Sequence, residues 1–431
     1  MKKVRRSYRR FPVALVFLVL PTVVAGLAYL LVDQQNKGLE ADWRELLGGQ
    51  TFLERYPPTE DNHVFVELRR LAAEIGLSLA SPAWPDRIRP REEAGAMSSE
   101  VRPAITDHLR TLTDVTDGRF PAAPEEIQQY LAESSETLKG IRGLLLGAEP
   151  AVLESKLADG YERNLPNFLG ILTLQRLLLV QASEQLRTGD PDTARQTIDA
   201  SRRLSDATAE FPGIIAQLIA QATVRQRQPI LRAFCPPFGG WEEEQRLLDA
   251  RGDVFLDLEL DAFLAYQASE LDPPGEGSER RNPWWVRVAL RDYARRLHRG
   301  LKTFPAVDPV TATPDDLEAR LKAQVPRWQL VARMLLPNSV DPWLKAARLE
   351  LSAELTALVF EERRRRATGK APPPHGHRRP SRFEGLDWVY ESADGSLSIL
   401  LDGDMAWLPE SALPARFDFP PAGEDECPAS S

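Results

Sequence analysis

Residues 11–32, FPVALVFLVLPTVVAGLAYLLV, are 22 consecutive positions without a charge. In hydrocarbon a backbone must satisfy its own N–H and C=O groups, so a single such run can only be a helix. At about 1.5 Å per residue it reaches about 33 Å, enough for a hydrocarbon core of about 30 Å. The flank before it carries Lys2, Lys3, Arg5, Arg6, Arg9 and Arg10 and no acid. Basic flanks stay on the cytoplasmic side, which predicts a single-pass protein of the inner or cytoplasmic membrane. Its N-terminus lies inside and residues 33–431 outside, with the lipid bilayer as partner of residues 11–32. Pro21 kinks the span, as membrane helices tolerate. The competing reading is a cleaved signal peptide with Gly26-Leu27-Ala28 as its small-residue site, and Arg5-Arg6 and Arg9-Arg10 also fit a twin-arginine signal. The apolar run continues past that site to Val32, which favours an anchor. Each reading exports the remainder.

The chain has 54 Lys+Arg against 63 Asp+Glu, net −9. Without the six basic residues of the flank the exported part has 48 against 63, net −15. An acidic body of this kind argues against nucleic acid as a partner, because phosphate binding needs a basic surface. It also argues against lying flat on anionic lipid. Cys235 and Cys427 are the only cysteines; they exclude a cysteine-built zinc site and leave open one disulfide or two separate thiols.

Beyond the span, apolar residues recur at helical spacing, and strand-like alternation is absent until the C-terminal region. Proline at the first helical position, preceded by a capping side chain, punctuates the pattern at Asp190-Pro191, Asn282-Pro283, Thr313-Pro314 and Asp341-Pro342. Pro103, Pro124 and Pro212 mark further starts. Helices are expected at 103–115, 124–147, 166–187, 191–209, 212–233, 242–270, 283–301, 314–336 and 342–367, after shorter ones within 38–58 and 64–75. Residues 370–385, which include KAPPPHGHRRPSR, read as an extended linker. Asp394-Gly395 and Asp402-Gly403 are hairpin signals, predicting three short strands over 386–409, in a small ribbon of 386–420, that pack on the helices through Trp388, Tyr390, Ile399 and Trp407. The expected fold is therefore an all-α irregular helical bundle with one N-terminal transmembrane helix and a small C-terminal antiparallel β ribbon. Its parts are a basic flank (1–10), the span (11–32), an N-terminal helical part (33–160), a main bundle (161–369), the linker, the ribbon and a disordered tail (421–431).

Two local resemblances follow. Residues 166–209, with Gly189-Asp190 at the turn and Ala194 and Ile198 on the second helix, resemble a tetratricopeptide hairpin. The first-helix aromatic signature is missing and no second copy recurs at a fixed period, so the hairpin is read as part of an irregular bundle. The long helix Leu344 to Arg366, the linker and a strand–Asp-Gly–strand unit resemble the C-terminal arrangement of pseudopilin-like proteins. The chain is also similar to uncharacterised single-pass bacterial envelope proteins with helical ectodomains. The pseudopilin N-terminal cleavage site is not present.

Asp249, Asp253, Asp257 and Asp261 stand four apart on one expected helix, and Arg287, Arg291, Arg295 and Arg299 on the next. Like charges at that spacing repel, so an interhelical ladder would compensate them, with Asp261 beside Arg287 and Asp249 beside Arg299. Each step of four drifts about 40° around the helix, so only two of the four pairs can meet along one seam. Solvated faces and a divalent-ion site are the alternatives. His375 and His377 lack a third ligand nearby and read as solvated linker. His108 lies on an apolar stripe. Trp284-Trp285 reads as a core anchor at a helix start. No nucleophile elbow, His-Glu-x-x-His, phosphate loop or dinucleotide fingerprint occurs, and no cofactor or catalytic residue is predicted. The expectation is an extracytoplasmic helical scaffold that holds an unknown protein partner in a helical groove around residues 166–233, a reading that an apolar lining would favour. A hydrolase assembled around His108 or His298 with a carboxylate, or a component of a secretion or pilus-like assembly, are the alternatives.

Overall fold

A computed structural model describes residues 38–80, 101–115, 119–162, 164–234, 241–270, 284–304, 313–323, 340–393, 396–403 and 416–419. The expected span, Cys235, Cys427, Trp407, the Asp394-Gly395 turn and the tail lie outside these residues, as do the side chains of Trp284 and Trp285. Among the described residues no helix is long and apolar enough to cross a membrane.

The described part is mostly helical with one small sheet. Residues 38–46 form α1. There follow α2 (Phe52–Arg55), α3 (His63–Glu74), α4 (Val101–Thr111), α5 (Glu125–Glu133), α6 (Ser135–Leu145), α7 (Phe168–Arg187), α8 (Pro191–Ala209) and α9 (Ile214–Ala233). Then come α10 (Trp241–Leu247), α11 (Ala250–Glu270), α12 (Trp284–Leu301), α13 (Pro314–Ala323) and α14 (Val340–Ala367). The proline punctuation acts as expected at two of the four pairs; Asn282-Pro283 lies outside the described residues, and Asp341 and Pro342 fall inside the first turn of α14, which begins at Val340. Asp190 accepts from the Thr193 amide at 3.1 Å with Pro191 opening α8, and Thr313 accepts from Asp316 N at 3.1 Å ahead of Pro314. Pro124 is itself the cap residue of α5, and Gly213, one residue after Pro212, caps α9 at φ 132°. The single helix expected over 242–270 is two, α10 and α11. Asp249 closes the break by accepting from Gly252 N at 3.0 Å, so it stands before α11 as its cap.

Two hydrophobic cores result. The first joins α3–α9 around Phe65, Leu68, Ile141, Leu174, Leu177 and Ile198. The second joins Leu39 and Trp43 of α1 and Phe52 of α2 with α11–α14 and the sheet. The cores are interleaved in sequence. Residues on both sides of position 160 build the first, while the residues just after the expected span belong with the C-terminal half. Helix α14 crosses between them: most of its buried residues lie in the second core, and Phe360 lies in the first.

The sheet has four antiparallel strands in the order β1 (His377–Pro380), β2 (Asp387–Ala393), β3 (Ser396–Asp402), β4 (Arg416–Phe419). Three strands were expected over 386–409; β2 and β3 are two of them, and residues 404–409, expected to hold the third, lie outside the described residues. Strand β4 lies beyond that stretch, and β1 comes from the proline-rich linker, with Arg379 opposite Trp388. It tolerates Pro380 because it is an edge strand, where a missing N–H breaks no ladder. Trp388, Tyr390, Leu397, Ile399, Phe417 and Phe419 alternate onto one face and enter the second core. Glu354 of α14 fastens that face. It accepts from Trp388 Nε1 at 2.9 Å, Ser381 Oγ at 2.6 Å and Arg382 N at 2.9 Å.

Candidate functional site

Helices α8, α9 and α11 leave a groove between them. One part, about 600 Å³, lies among Tyr56, Ser155, Asp206, Glu210, Asp253 and Asp257. A second, about 510 Å³, lies among Arg202, Asp206, Gln221, Arg227, Glu244 and Asp253. The two share Asp206, Ala209, Gln217 and Asp253, so they are one continuous depression. An apolar notch of about 180 Å³ adjoins through Phe211 and Pro212 and includes Leu165, Phe168 and Ile215. Leu169, next to Phe168 on α7, is 70 % exposed. The groove lies where a helical groove was expected; its lining mixes apolar residues such as Val152, Leu153, Val224, Leu248 and Leu349 with charged ones that are mostly acidic. Six carboxylates (Asp206, Glu210, Glu244, Asp249, Asp253, Asp257) face three guanidiniums (Arg55, Arg202, Arg227).

The carboxylates are not equivalent. Asp257 is buried and accepts from Gly213 N at 3.2 Å. Asp206 pairs with Arg202 at 3.3 Å; burial pushes its carboxyl above the ordinary value, opposed by Arg227, Arg202 and Arg203. Asp253 stands open to the groove with no ion pair among the described residues. Desolvation and the neighbouring charge of Asp249 both raise it. Tyr56 is pushed up to about 12 by burial and then by the charge of Asp257.

Arg227 is 1 % exposed and stands over Trp241, its Cζ 4.9 Å from the ring centroid; Arg202 stands over the same ring at 5.6 Å. Glu244 approaches Arg227 Nη2 at 3.6 Å, within ion-pair range but beyond a hydrogen bond. Nε and Nη1 of Arg227 have no hydrogen-bond partner among the described residues, nor has Oε1 of Gln221.

Of the expected ladder, Asp249 is a helix cap, Asp253 and Asp257 line the groove, and Asp261 reaches the apolar notch. Helices α11 and α12 do pack antiparallel, with Glu259 meeting His298 and Ser269 meeting Arg291. That register sets Asp261 opposite the stretch from Tyr293 to His298, whereas the ladder sets it opposite Arg287. Tyr293 accordingly is pushed up to about 12 by burial and then by Asp261. Arg291 donates to Ser269 Oγ at 3.2 Å, Arg295 pairs with Asp292 at 3.3 Å, Arg287 is half-buried and Arg299 is exposed.

His298 gathers two carboxylates. Its Nδ1 is 2.7 Å from Glu259 Oε2 and its Nε2 is 3.1 Å from Asp42 Oδ2. Trp43 Nε1 donates to the same Glu259 oxygen at 2.9 Å, and Lys302 Nζ to Asp42 at 2.6 Å. His298 is 3 % exposed and Glu259 0 %. Both ring nitrogens face acceptors, an arrangement satisfied when both carry protons. Burial alone would lower the imidazole's pKa; Glu259 and Asp42 outweigh it and raise it. The cluster is a closed tie between α1, α11 and α12; the groove does not reach it, and no hydroxyl among the described residues is hydrogen-bonded to His298.

His108 is buried in α4, and desolvation lowers its pKa. His375 Nδ1 accepts from Ser392 N at 3.2 Å, and the His377 ring lies 5.6 Å from Tyr390. Among the described residues no three His, Cys, Asp or Glu side chains are placed to hold a metal ion. Arg227 and Trp241 were missed in the sequence. The available signal was the row of polar residues on α9 (Gln217, Gln221, Arg227, Gln228), too many for a helix so deeply packed.

No known protein family, curated protein or solved structure matches this sequence.

Proposed function

We propose that this protein is a membrane-anchored, extracytoplasmic helical scaffold whose groove holds an extended basic segment of a partner protein. The observation that carries the proposal is the charge of the groove: six carboxylates against three guanidiniums, with Asp253 in no ion pair among the described residues and its carboxyl raised by desolvation and then by the charge of Asp249. A cation placed there relieves repulsion already present in the free protein, which supports specificity as well as affinity. The adjoining notch with Leu165 and Ile215 would take an apolar side chain of the same segment. Residues 11–32 and their basic flank supply the anchor and orientation.

The test uses the full-length protein in detergent and a short fluorescent lysine-rich peptide, beside its Lys→Gln counterpart. The lysine peptide should bind and the glutamine peptide should not. Affinity should fall with added salt and fall severalfold in Asp253→Asn. Equal binding of the two peptides, or of neither, would sink the proposal. For the anchor, protease added outside spheroplasts should degrade residues 33–431; full protection would overturn the topology.

A further inference from the structure

Helices α1, α11 and α12 share one axis and fix a direction. Helix α1 runs antiparallel to α11: Tyr266 Oη donates to Glu40 at 2.6 Å, and Trp43 Nε1 donates to Glu259 at 2.9 Å. Helix α12 is antiparallel to α11 as well, so α1 and α12 run the same way, with the Trp43 ring 5.9 Å from that of His298. Back from that shared level, Gly38 lies about 7.5 Å along α1 and Trp284 about 21 Å along α12. The first turn of α12 therefore stands about 13 Å beyond Gly38. Helix α11 does not follow it there, because it ends at Glu270, next to the Ser269 that meets Arg291. The face that α12 buries through Arg291, Ala294, His298 and Leu301 runs on through Trp284. Trp284 stands seven residues before Arg291 and within about 20° of it around the helix. Two turns of that face extend past the helix on which the rest of it packs.

The length of chain before α1 says what lies nearby. From Val32 to Gly38 is six residues, at most about 21 Å when fully extended. The end of the proposed span is thus within about 21 Å of Gly38, and the first turn of α12, about 13 Å from Gly38, falls inside that reach. Trp284 and Trp285 suit such a depth. Indole joins an apolar ring to an N–H donor and collects at membrane–water interfaces. We infer that residues 284–290 rest in the interfacial layer of the bilayer that residues 11–32 cross, with the tryptophan pair as the element that the lipid holds. This rests on the proposed anchor and adds a second point of contact. Two contacts hold α11, and with it the Asp253 and Asp257 of the groove, in one posture to the membrane. The contact is aromatic and confined to one helix end, so the acidic body does not oppose it on neutral lipid.

The test uses the full-length protein in phosphatidylcholine nanodiscs, with and without a lipid that carries a nitroxide quencher at the headgroup boundary. A fluorophore is placed on Val286→Cys, Leu31→Cys or Leu247→Cys, each in a Cys235→Ser/Cys427→Ser background. Leu247 is 72 % exposed and lies just before α11, at its opposite end. Quenching should be strong at positions 31 and 286 and severalfold weaker at 247. Adding Trp284→Ser/Trp285→Ser should reduce it at 286 and leave it unchanged at 31. Quenching at 31 without quenching at 286 overturns the contact and leaves the anchor standing, with something other than lipid over that face. Quenching at 247 equal to that at 286 overturns the fixed posture. No quenching at 31 removes the anchor, and this contact with it. A second measurement needs no substitution. When the unaltered protein is moved from amphipol into nanodiscs, amide exchange should slow in residues 284–290 and stay unchanged in α8 and α9. Unchanged exchange in 284–290 overturns the contact, and this comparison decides if a labelled variant fails to fold.

Discussion

At the scale of single residues, His298 shows how burial and partners compete. Its pKa is raised in the folded protein, so its stabilisation is fully present below the unfolded value of about 6.5 and is lost as pH climbs through the folded value. Asp42 works in the opposite direction: Lys302, opposed by burial and helped by His298, lowers its pKa, so its contribution fades only in acid well below that window. Replacing His298 with Gln leaves buried Glu259 without its cation, which should cost about 3–5 kcal/mol near pH 6. The deficit against the unaltered protein should shrink in thermal melts as pH rises above about 6.5. A deficit that stays constant or grows would show that the ring is not held as imidazolium. Gly170 is a second sharp position. A Cβ there would run inside van der Waals contact with the Ser78 carbonyl oxygen, which Asn167 Nδ2 already binds at 2.8 Å. Gly170→Ala should therefore destabilise by about 1–3 kcal/mol in denaturant melts, although alanine ordinarily favours a helix. A neutral or stabilising result would mean that α7 can move away from that carbonyl.

At the scale of elements, local chemistry was readable and remote partners were not. Asp190-Pro191 and Thr313-Pro314 are caps that act within a few residues, so the pattern alone placed the starts of α8 and α13. Asp249 fooled the same logic. Its spacing from Asp253 suggested a shared helix face, yet its hydrogen bond to Gly252 N makes it the start of a new helix. Strand β1 was hidden because its partner, β2, lies beyond Ser381–Leu386, and proline-rich sequence offers no alternation to read. Arg227 was hidden for a related reason: nothing in a helical period says which polar residue the neighbouring helices will enclose. What holds the sheet to α14 is equally remote, since Glu354 gathers donors from Ser381, Arg382 and Trp388. Glu354→Ala would leave the indole N–H of buried Trp388 unpaired, at about 1–3 kcal/mol. Hydrogen exchange should then speed up in β1–β3 while α7 and α8 stay protected. Uniform loosening of all elements would count against a local fastening role.

At the scale of the whole molecule, the interleaving of the two cores decides how residues 11–32, the proposed anchor, would be coupled to the body. Periodicity told which helix faces are buried, but not that Leu39, Trp43 and Phe52 pack with residues 250–419 instead of with the next helices in sequence. The described residues nearest to 11–32, Leu39 and Trp43, are fixed in the core that carries the sheet, with Trp43 set edge-on to Phe52, Phe263, Tyr266 and His298. The groove lies on the other side of α11, between that core and α8 and α9, so a pull on the proposed anchor would reach the groove through α1 and α11. Trp43→Ala removes the ring that fills this junction and the donor to Glu259, at about 3–5 kcal/mol. The loss should be uneven. Hydrogen exchange should rise first in α11, α12 and α14 and only later in α4, α7 and α8, whose core contains no residue of α1. Binding of the lysine peptide should weaken in the same variant, because Asp253 and Asp257 ride on α11. If exchange rises first in α4, α7 and α8, or if peptide affinity is unchanged while α11 loosens, the anchor and the groove are independent and this coupling is wrong.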